Sequence, residues 1–475
     1  MRSYALLLLS LALAPLLIIA ALLPLTPQDY WWYLRLGQDI AASGTIPTVD
    51  TYSFTRAGAP FFYQAWLSAL VWWGIHRVGE LTLTFGARLV IILLTYGLLW
   101  MLLRKTGAGP RISSVLVLVS GLAGSSNWSF RPQLLIYPLF VLALHALWRW
   151  QNNDPRRLWL LPLIAALWVN LHGSFPLLFL LLLPACVWGE GDRKQLALVT
   201  LVAAAALLVN PRGPLVARYV LDMLMSPSNR FSNEWLPAVN RGWQANLFFL
   251  WILILPILAA FSPRKLGRLE WAWFLAFGWL GLYGARYGIW LLFLLPILSA
   301  RLLTGWADRS LEAITGDFRA TVNTTAAVLL LLFPLALLPG VRERWWSGAP
   351  SPYHGANPIG ATAWLDQHPE LEGPLWSDFS HSSYLIFALP ERAVWIDPRF
   401  ELYPPAHWER YRAIAGASPG WESLLDEEGI QLAMLSTGGE PWLIRAMAAS
   451  DGWCEMFHDA DAVVFARTSP GTACG

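Results

Sequence analysis

Apolar runs close to the length of a bilayer crossing recur through this chain, at about 4–23, 83–103, 112–125, 132–148, 158–171, 174–189, 195–210, 246–262, 269–284, 286–303 and 323–340. A helix needs about 20 such residues to cross the ~30 Å hydrocarbon layer, so the pattern predicts an α-helical polytopic membrane protein with about eleven transmembrane helices. Only 13% of the residues are charged, against about 25% in soluble domains. The 29 Trp suit aromatic belts at the headgroup level, where an amphipathic ring is best accommodated. The first run follows Met1 and Arg2 and, with no small-residue cleavage site behind it, reads as a signal anchor.

Lys and Arg mark every second loop: Arg2, then Arg104, Lys105 and Arg111, then Arg149, Arg156 and Arg157, then Arg193 and Lys194, then Arg264, Lys265 and Arg268, and last Arg301, Arg309 and Arg319. The positive-inside rule then puts the N-terminus in the cytoplasm and everything after Pro339 outside. A further apolar stretch, 61–78, would invert the later basic loops if it crossed. It is expected to be an interfacial or re-entrant helix in a long first external loop, about 24–82. Residues 1–340 are thus a transmembrane domain. Residues 341–475, of near-normal composition, form a small extracytoplasmic α/β domain with a helix at 361–368 and strands at 383–388, 393–396, 431–435 and 462–466. Cys186 sits in an apolar run, whereas Cys454 and Cys474 are placed to pair in an oxidising compartment.

The external turns gather the chain's unusual polar residues. Asp29, in Asp-Tyr-Trp-Trp, stands just past the first span. It reads either as a helix cap or as a carboxylate that takes a proton from an acceptor hydroxyl. Asp50 fits an Asx turn, or a second acid for catalysis, an acceptor or a divalent ion. Arg88 and Arg286 lie at outer span ends with no acidic neighbour in sequence, and Arg131 and Arg212 lie on the same side. Such arginines either snorkel or grip an anion, and a lipid phosphate or diphosphate suits four guanidinium groups. His172, between Asn170 and Gly173, is a structural or a substrate-binding histidine. Asn210 opens Asn-Pro-Arg-Gly, and Glu234, in Asn-Glu-Trp, is a surface acid or a substrate ligand. Asp397 and Arg399 lie in a polar loop that ends a strand and read as a structural pair or as ligand contacts, and Asp378 with His381 forms a similar polar loop end. The chain has no P-loop, GxSxG elbow, CxxC or GxGxxG, and no Lys/Arg-rich run that would suit nucleic acid.

An acid directly after the first span, a long external loop with interfacial helices and an Arg-Leu opening the next span resemble the GT-C glycosyltransferase superfamily. That superfamily includes protein mannosyltransferases and aminoarabinose transferases. The strings Asp29-Tyr-Trp-Trp-Tyr-Leu-Arg-Leu-Gly, Pro47-x-x-Asp50-x-Tyr-Ser-Phe-Thr, Asn170-Leu-His-Gly, Asn210-Pro-Arg-Gly, Asn233-Glu-Trp and Ile396-Asp-Pro-Arg look like a bacterial branch with an extracytoplasmic C-terminal domain. The resemblance implies an inner-membrane enzyme of the cell envelope. Its partners would be a polyprenyl-phosphate-linked sugar donor and a glycan, lipid or protein acceptor. By position Asp29 would be the base or the acceptor-orienting carboxylate and Arg88 a donor-phosphate contact; Arg131, His172, Asn210, Arg212, Glu234 and Arg286, read from their place in the external turns, complete the candidate substrate site. Many members carry two adjacent acids after the first span, whereas here Tyr30 follows Asp29, so a divalent metal cofactor stays open. An O-antigen polymerase or ligase would need His172 and Arg212 rather than Asp29, and an envelope-glycan scaffold or transport partner would need no single polar residue.

Overall fold

The structure is a computed structural model describing residues 2–306 and 317–468; Arg309 and Cys474 lie outside the described residues. In chain order the helices are α1 (Arg2–Leu22), α2 (Tyr30–Ser43), α3 (Trp66–Lys105), α4 (Pro110–Gly124), α5 (Tyr137–Gln151), α6 (Leu160–Leu171), α7 (Pro176–Trp188), α8 (Arg193–Ala206), α9 (Leu215–Met225), α10 (Trp243–Phe261), α11 (Arg268–Tyr283), α12 (Gly288–Leu303) and α13 (Asp317–Leu332). The C-terminal part adds α14 (Ile359–Asp366), β1 (Leu375–Ser377), α15 (Phe379–Ala388), α16 (Pro405–Ala415), α17 (Trp421–Glu427), β2 (Leu432–Ser436), α18 (Pro441–Ala448), β3 (Trp453–His458) and β4 (Ala462–Arg467). Among the described residues six helical stretches are long and apolar enough to cross a membrane. The other expected spans coincide with the shorter helices α4, α6, α7, α8 and α11.

The chain divides into two compact units. One comprises 1–23, 75–216 and 233–350; the other comprises 24–74, 217–232 and 351–475. Hydropathy places the domain limit near 340, whereas the unit that holds the C-terminal sheet also takes in 24–74.

In the first unit α1 packs against α4 and α13, and α12 against α4, α10 and α11. The last carbonyls of α1 have no partner within the helix, as at any helix C-terminus. Two buried guanidinium groups reach that end: Arg88 Nη2 donates to the Leu23 carbonyl at 2.6 Å, and Arg342 Nη1 to that of Ala21 at 3.4 Å. Cations there also complement the negative end of the helix dipole. Within α3 the backbone leaves helical geometry at Gly79 (φ −154°) and Glu80 (φ 47°). This break falls between the expected interfacial stretch 61–78 and the expected span 83–103. A left-handed glutamate costs about 1–3 kcal/mol and persists only where its surroundings hold it.

The second unit is built on a sheet of order β1-β2-β4-β3, with β1 and β2 parallel and the other pairs antiparallel. Alternation sorts its side chains by face. Leu432, Met434, Val464 and Ala466 join one core, Ala433, Leu435, Val463 and Phe465 the other, and both cores are buried. The first core also contains Trp32, Leu36 and Ile40, spaced by fours along one face of α2. Burying each such side chain contributes about 1.5–3 kcal/mol. Gly37 lets α2 approach so closely, because a Cβ there would stand 2.2 Å from the Ala69 carbonyl oxygen.

Two strand expectations are corrected. Residues 383–388 are the C-terminal part of α15, whose N-cap Asp378 accepts from the N–H groups of Ser380 and His381. Residues 393–396 form no strand but pair singly, Val394 with Ser53 and Leu375. The expected strands near 431–435 and 462–466 are β2 and β4. Past the ends of β1 and β2, the Tyr411 hydroxyl lies 2.8 Å from Asp378 and 3.1 Å from Glu440. Burial and the neighbouring Asp378 raise the Glu440 carboxyl well above the usual range. Cys454 is disulfide-bonded and Cys186 is free.

Candidate active site

Asp29 begins α2 with φ −84° and ψ −23° and makes no side-chain capping bond. The carboxylate instead accepts from the side chain of Trp32, in the first turn of α2, with Nε1 at 3.4 Å. Aromatic rings crowd the residues that follow. Tyr30 and Trp31 meet edge to face at 5.0 Å, and Trp31 stacks on Phe387 at 5.2 Å and meets Tyr384 at 4.9 Å. Asp29 itself is half-buried, directly before this aromatic run in the chain.

Asp50, the second expected carboxylate, is buried. It accepts from the N–H groups of Tyr52 and Ser53 and from Ser53 Oγ, and pairs with Arg399 at 2.6 Å. Arg399 also pairs with Asp397 and donates to Tyr63 Oη, while the Tyr403 hydroxyl donates to Asp397. The expected Asp397–Arg399 pair is therefore there, and it holds Asp50 as well. Among the described residues no group of three or more His, Cys, Asp or Glu could hold a metal ion, and the donor set does not suit a divalent cation.

In the first unit, Arg131 precedes a short turn of 3₁₀ helix (Pro132–Ile136) and pairs with Glu234. The segment bearing Glu234 runs beside the end of α11, with the Ala285 N–H donating to the Leu236 carbonyl at 3.0 Å and Ala238 to Leu282 at 3.1 Å. This brings Arg286 over the Trp235 ring at 4.6 Å, and Trp235 meets Tyr287 edge to face. Gln133 Nε2 lies 3.5 Å from the Arg286 carbonyl. Burial alone would raise the Glu234 carboxyl, but Arg131 and Arg286 together hold it below its ordinary range. His172 is pushed down to about 3 by burial and then by Arg286 and Arg131. Its wiring agrees: Trp168 Nε1 donates to Ser174 Oγ, and the Ser174 N–H donates to His172 Nδ1. With Nδ1 accepting, the neutral ring carries its proton on Nε2. The cluster therefore holds two fixed cations, one carboxylate and a neutral imidazole, an excess of positive charge suited to an anionic group.

The remaining expected residues have local tasks in the structure. Arg88 is buried between the Phe85 and Phe130 rings, at 4.4 and 4.2 Å, and bonds the end of α1. Asn210 staples its own turn, accepting from the Arg212 N–H and donating to Leu207 and Gly213 carbonyls. Asn170 ties the His172 turn to the Val209 carbonyl at 2.7 Å. Arg212 is half-buried in that second turn. Sequence reasoning missed Trp235, Trp168 and Ser174, whose partners are evident only once the turns are folded. It also missed Asn357, which donates to the Leu25 carbonyl 332 positions away in sequence.

No family model matches the chain, and no curated protein does. Solved structures do. ArnT from Cupriavidus metallidurans, bound to undecaprenyl phosphate, superposes with a TM-score of 0.55 at 15% identity, over 97% of this chain and 98% of that one. The oligosaccharyltransferase AglB from Archaeoglobus fulgidus, in complex with an inhibitory peptide and a dolichol-phosphate, gives 0.51 at 11% identity, over 99% and 75%. The mycobacterial arabinofuranosyltransferase AftD gives 0.51 at 13% identity, over 97% of this chain and 40% of that one. This chain has the GT-C fold. The GT-C fold is that of an integral membrane protein, in keeping with the apolar helices. It is also the fold that the acid after the first span and the long external loop led one to expect.

Proposed function

We propose that this GT-C protein transfers a sugar from a polyprenyl-phosphate-linked donor to an acceptor hydroxyl of a glycan, lipid or protein. The observation that carries the reading is the cationic cluster of Arg131, Arg286 and neutral His172 around Glu234, in a fold that ArnT and AglB share while holding lipid phosphates. In the reaction the acceptor oxygen attacks the anomeric carbon as the bond to phosphate breaks. Asp29 takes the acceptor proton, Arg286 and Arg131 stabilise the departing phosphate, and the His172 Nε2–H donates to it or to the sugar. Glu234 keeps Arg131 in place, and Asp50 acts as a structural carboxylate. Basic loops on alternate sides and the disulfide-bonded Cys454 support a cytoplasmic N-terminus and an extracytoplasmic C-terminal domain in a bacterial inner membrane.

The test begins with a deletion strain, in which mass spectrometry of envelope glycans and glycolipids identifies the product that disappears. Complementation with Asp29→Asn or Arg286→Ala, at normal abundance, is expected to leave product down at least 100-fold. Full product from Asp29→Asn together with none from His172→Ala would point instead to a polymerase or ligase of the O-antigen kind.

A further inference from the structure

Within the second unit, residues 24–31 form a short strap that carries Asp29 into α2. The Leu25 N–H donates to the Pro352 carbonyl at 2.8 Å, and the His354 N–H donates to the Leu25 carbonyl at 2.9 Å. Ser383 Oγ reaches the Pro27 carbonyl at 3.3 Å. One buried side chain grips the strap at both ends. Asn357 Nδ2 donates to the carbonyls of Leu25 at 2.7 Å and His354 at 2.9 Å, and Asn357 Oδ1 accepts from Trp31 Nε1 at 2.7 Å. The orientation of the amide is unambiguous, because an indole N–H only donates and carbonyl oxygens only accept.

We infer that Asn357 is a positioning residue for Asp29 and that the C-terminal segment beginning at Ser351 is a working part of the active site; this rests on Asp29 acting as the base. Leu25 and Trp31 lie on either side of Asp29, and a single amide closes the loop between them. Pro24 and Pro27 fix two of its φ angles. The Asp29 carboxylate accepts from Trp32 Nε1, the residue next to Trp31, so the ties at Leu25 and Trp31 fix the backbone on both sides of it. Misplacing a catalytic group by about 1 Å lowers a rate by about 100-fold, and losing either end of the grip permits a movement of that size.

The isosteric variant Asn357→Asp keeps the bond from Trp31 but turns an oxygen towards the Leu25 and His354 carbonyls. Trp31→Phe keeps an aromatic ring and removes the other bond. Each variant is expressed full-length in the deletion strain. Its membranes are incubated with the host's own lipid extract, and the missing glycan product is followed by mass spectrometry. Each is expected to lower product formation 10–100-fold, to leave binding of added undecaprenyl phosphate within twofold, and to cause no further loss in an Asp29→Asn background. Hydrogen exchange of amides 24–33 is expected to quicken while β2 and β4 stay protected. A wild-type rate in both variants, or losses that multiply with that of Asp29→Asn, would overturn the proposal, as would unchanged exchange in the strap. If Asp29→Asn keeps full activity, the base assignment fails alone, and the exchange result still decides whether Asn357 holds the strap.

Discussion

Asp50→Asn preserves the shape of a buried side chain and removes its charge. In the folded unit the Arg399 guanidinium faces Asp50 at 2.6 Å and Asp397 at 2.5 Å, with all three side chains fully buried. The amide still accepts from the Tyr52 or Ser53 N–H, but it no longer offers carboxylate oxygens to both Arg399 and Ser53. Losing one buried, charge-assisted bond costs about 1.5–3 kcal/mol. Arg399 keeps Asp397, so the ~3–5 kcal/mol of a fully broken buried pair is not reached. That larger cost is expected for Arg399→Met, which strands two carboxylates in the core. For a unit of this size each kcal/mol moves the midpoint by about 2–4 °C, giving losses of about 3–12 °C for Asp50→Asn and about 6–20 °C for Arg399→Met. The assay is tryptophan-fluorescence melting of the full-length protein in detergent, beside product formation at a temperature below both transitions. Asp50→Asn should melt early yet retain activity within a few-fold of wild type. A wild-type melting curve with activity down more than 100-fold would refute this, because Asp50 would then be a catalytic group rather than part of a buried network.

Glu440→Gln should raise the melting temperature more at pH 8 than at pH 4.5. The native Glu440 carboxyl titrates well above its ordinary value because of burial and Asp378. As pH rises past about 4.3 the unfolded chain sheds this proton first, and wild-type stability falls while that of the amide does not. A pH-independent difference in melting would contradict it. Ser174→Ala removes the hydroxyl that links Trp168 Nε1 to the His172 turn and should lower product formation about 3–10-fold, in line with ~1 kcal/mol for one hydrogen bond; an unchanged rate would show that His172 needs no such support. Gly37→Ala forces a methyl to 2.2 Å from the Ala69 carbonyl oxygen and should destabilise the second unit by at least the 1–3 kcal/mol typical of overpacking, which melting checks.

Much of the helical frame was legible, because apolar length and the period of the basic loops are local properties of the chain. Even the break at Gly79 and Glu80 falls where the basic loops had required 61–78 to be distinct from 83–103. The C-terminal sheet was less legible. Tyr384-Leu-Ile-Phe has strand propensity, but Asp378 caps a helix that begins at Phe379 and carries those residues along. The strand Leu375–Ser377 is too short to leave a periodic signal. In the site, residue types were readable and partners were not. Asp29 and Asp50 look alike in sequence, yet only Asp50 is enclosed by Arg399, whose position 349 residues later in the chain no local pattern reveals. Asn357 has no motif of its own.

The strap that bears Asp29 has a consequence for how the protein is made. Asn357 is synthesised 332 residues after the carbonyl it holds, which at ~5–20 residues per second takes a ribosome roughly 15–65 s. Throughout that interval the intervening helices are being threaded into the lipid while the strap lacks its anchor. Asp29, the proposed base, is therefore tied into place only after translation has passed the last apolar helix, so a truncated or partly inserted chain would carry Asp29 without the tie that holds its strap.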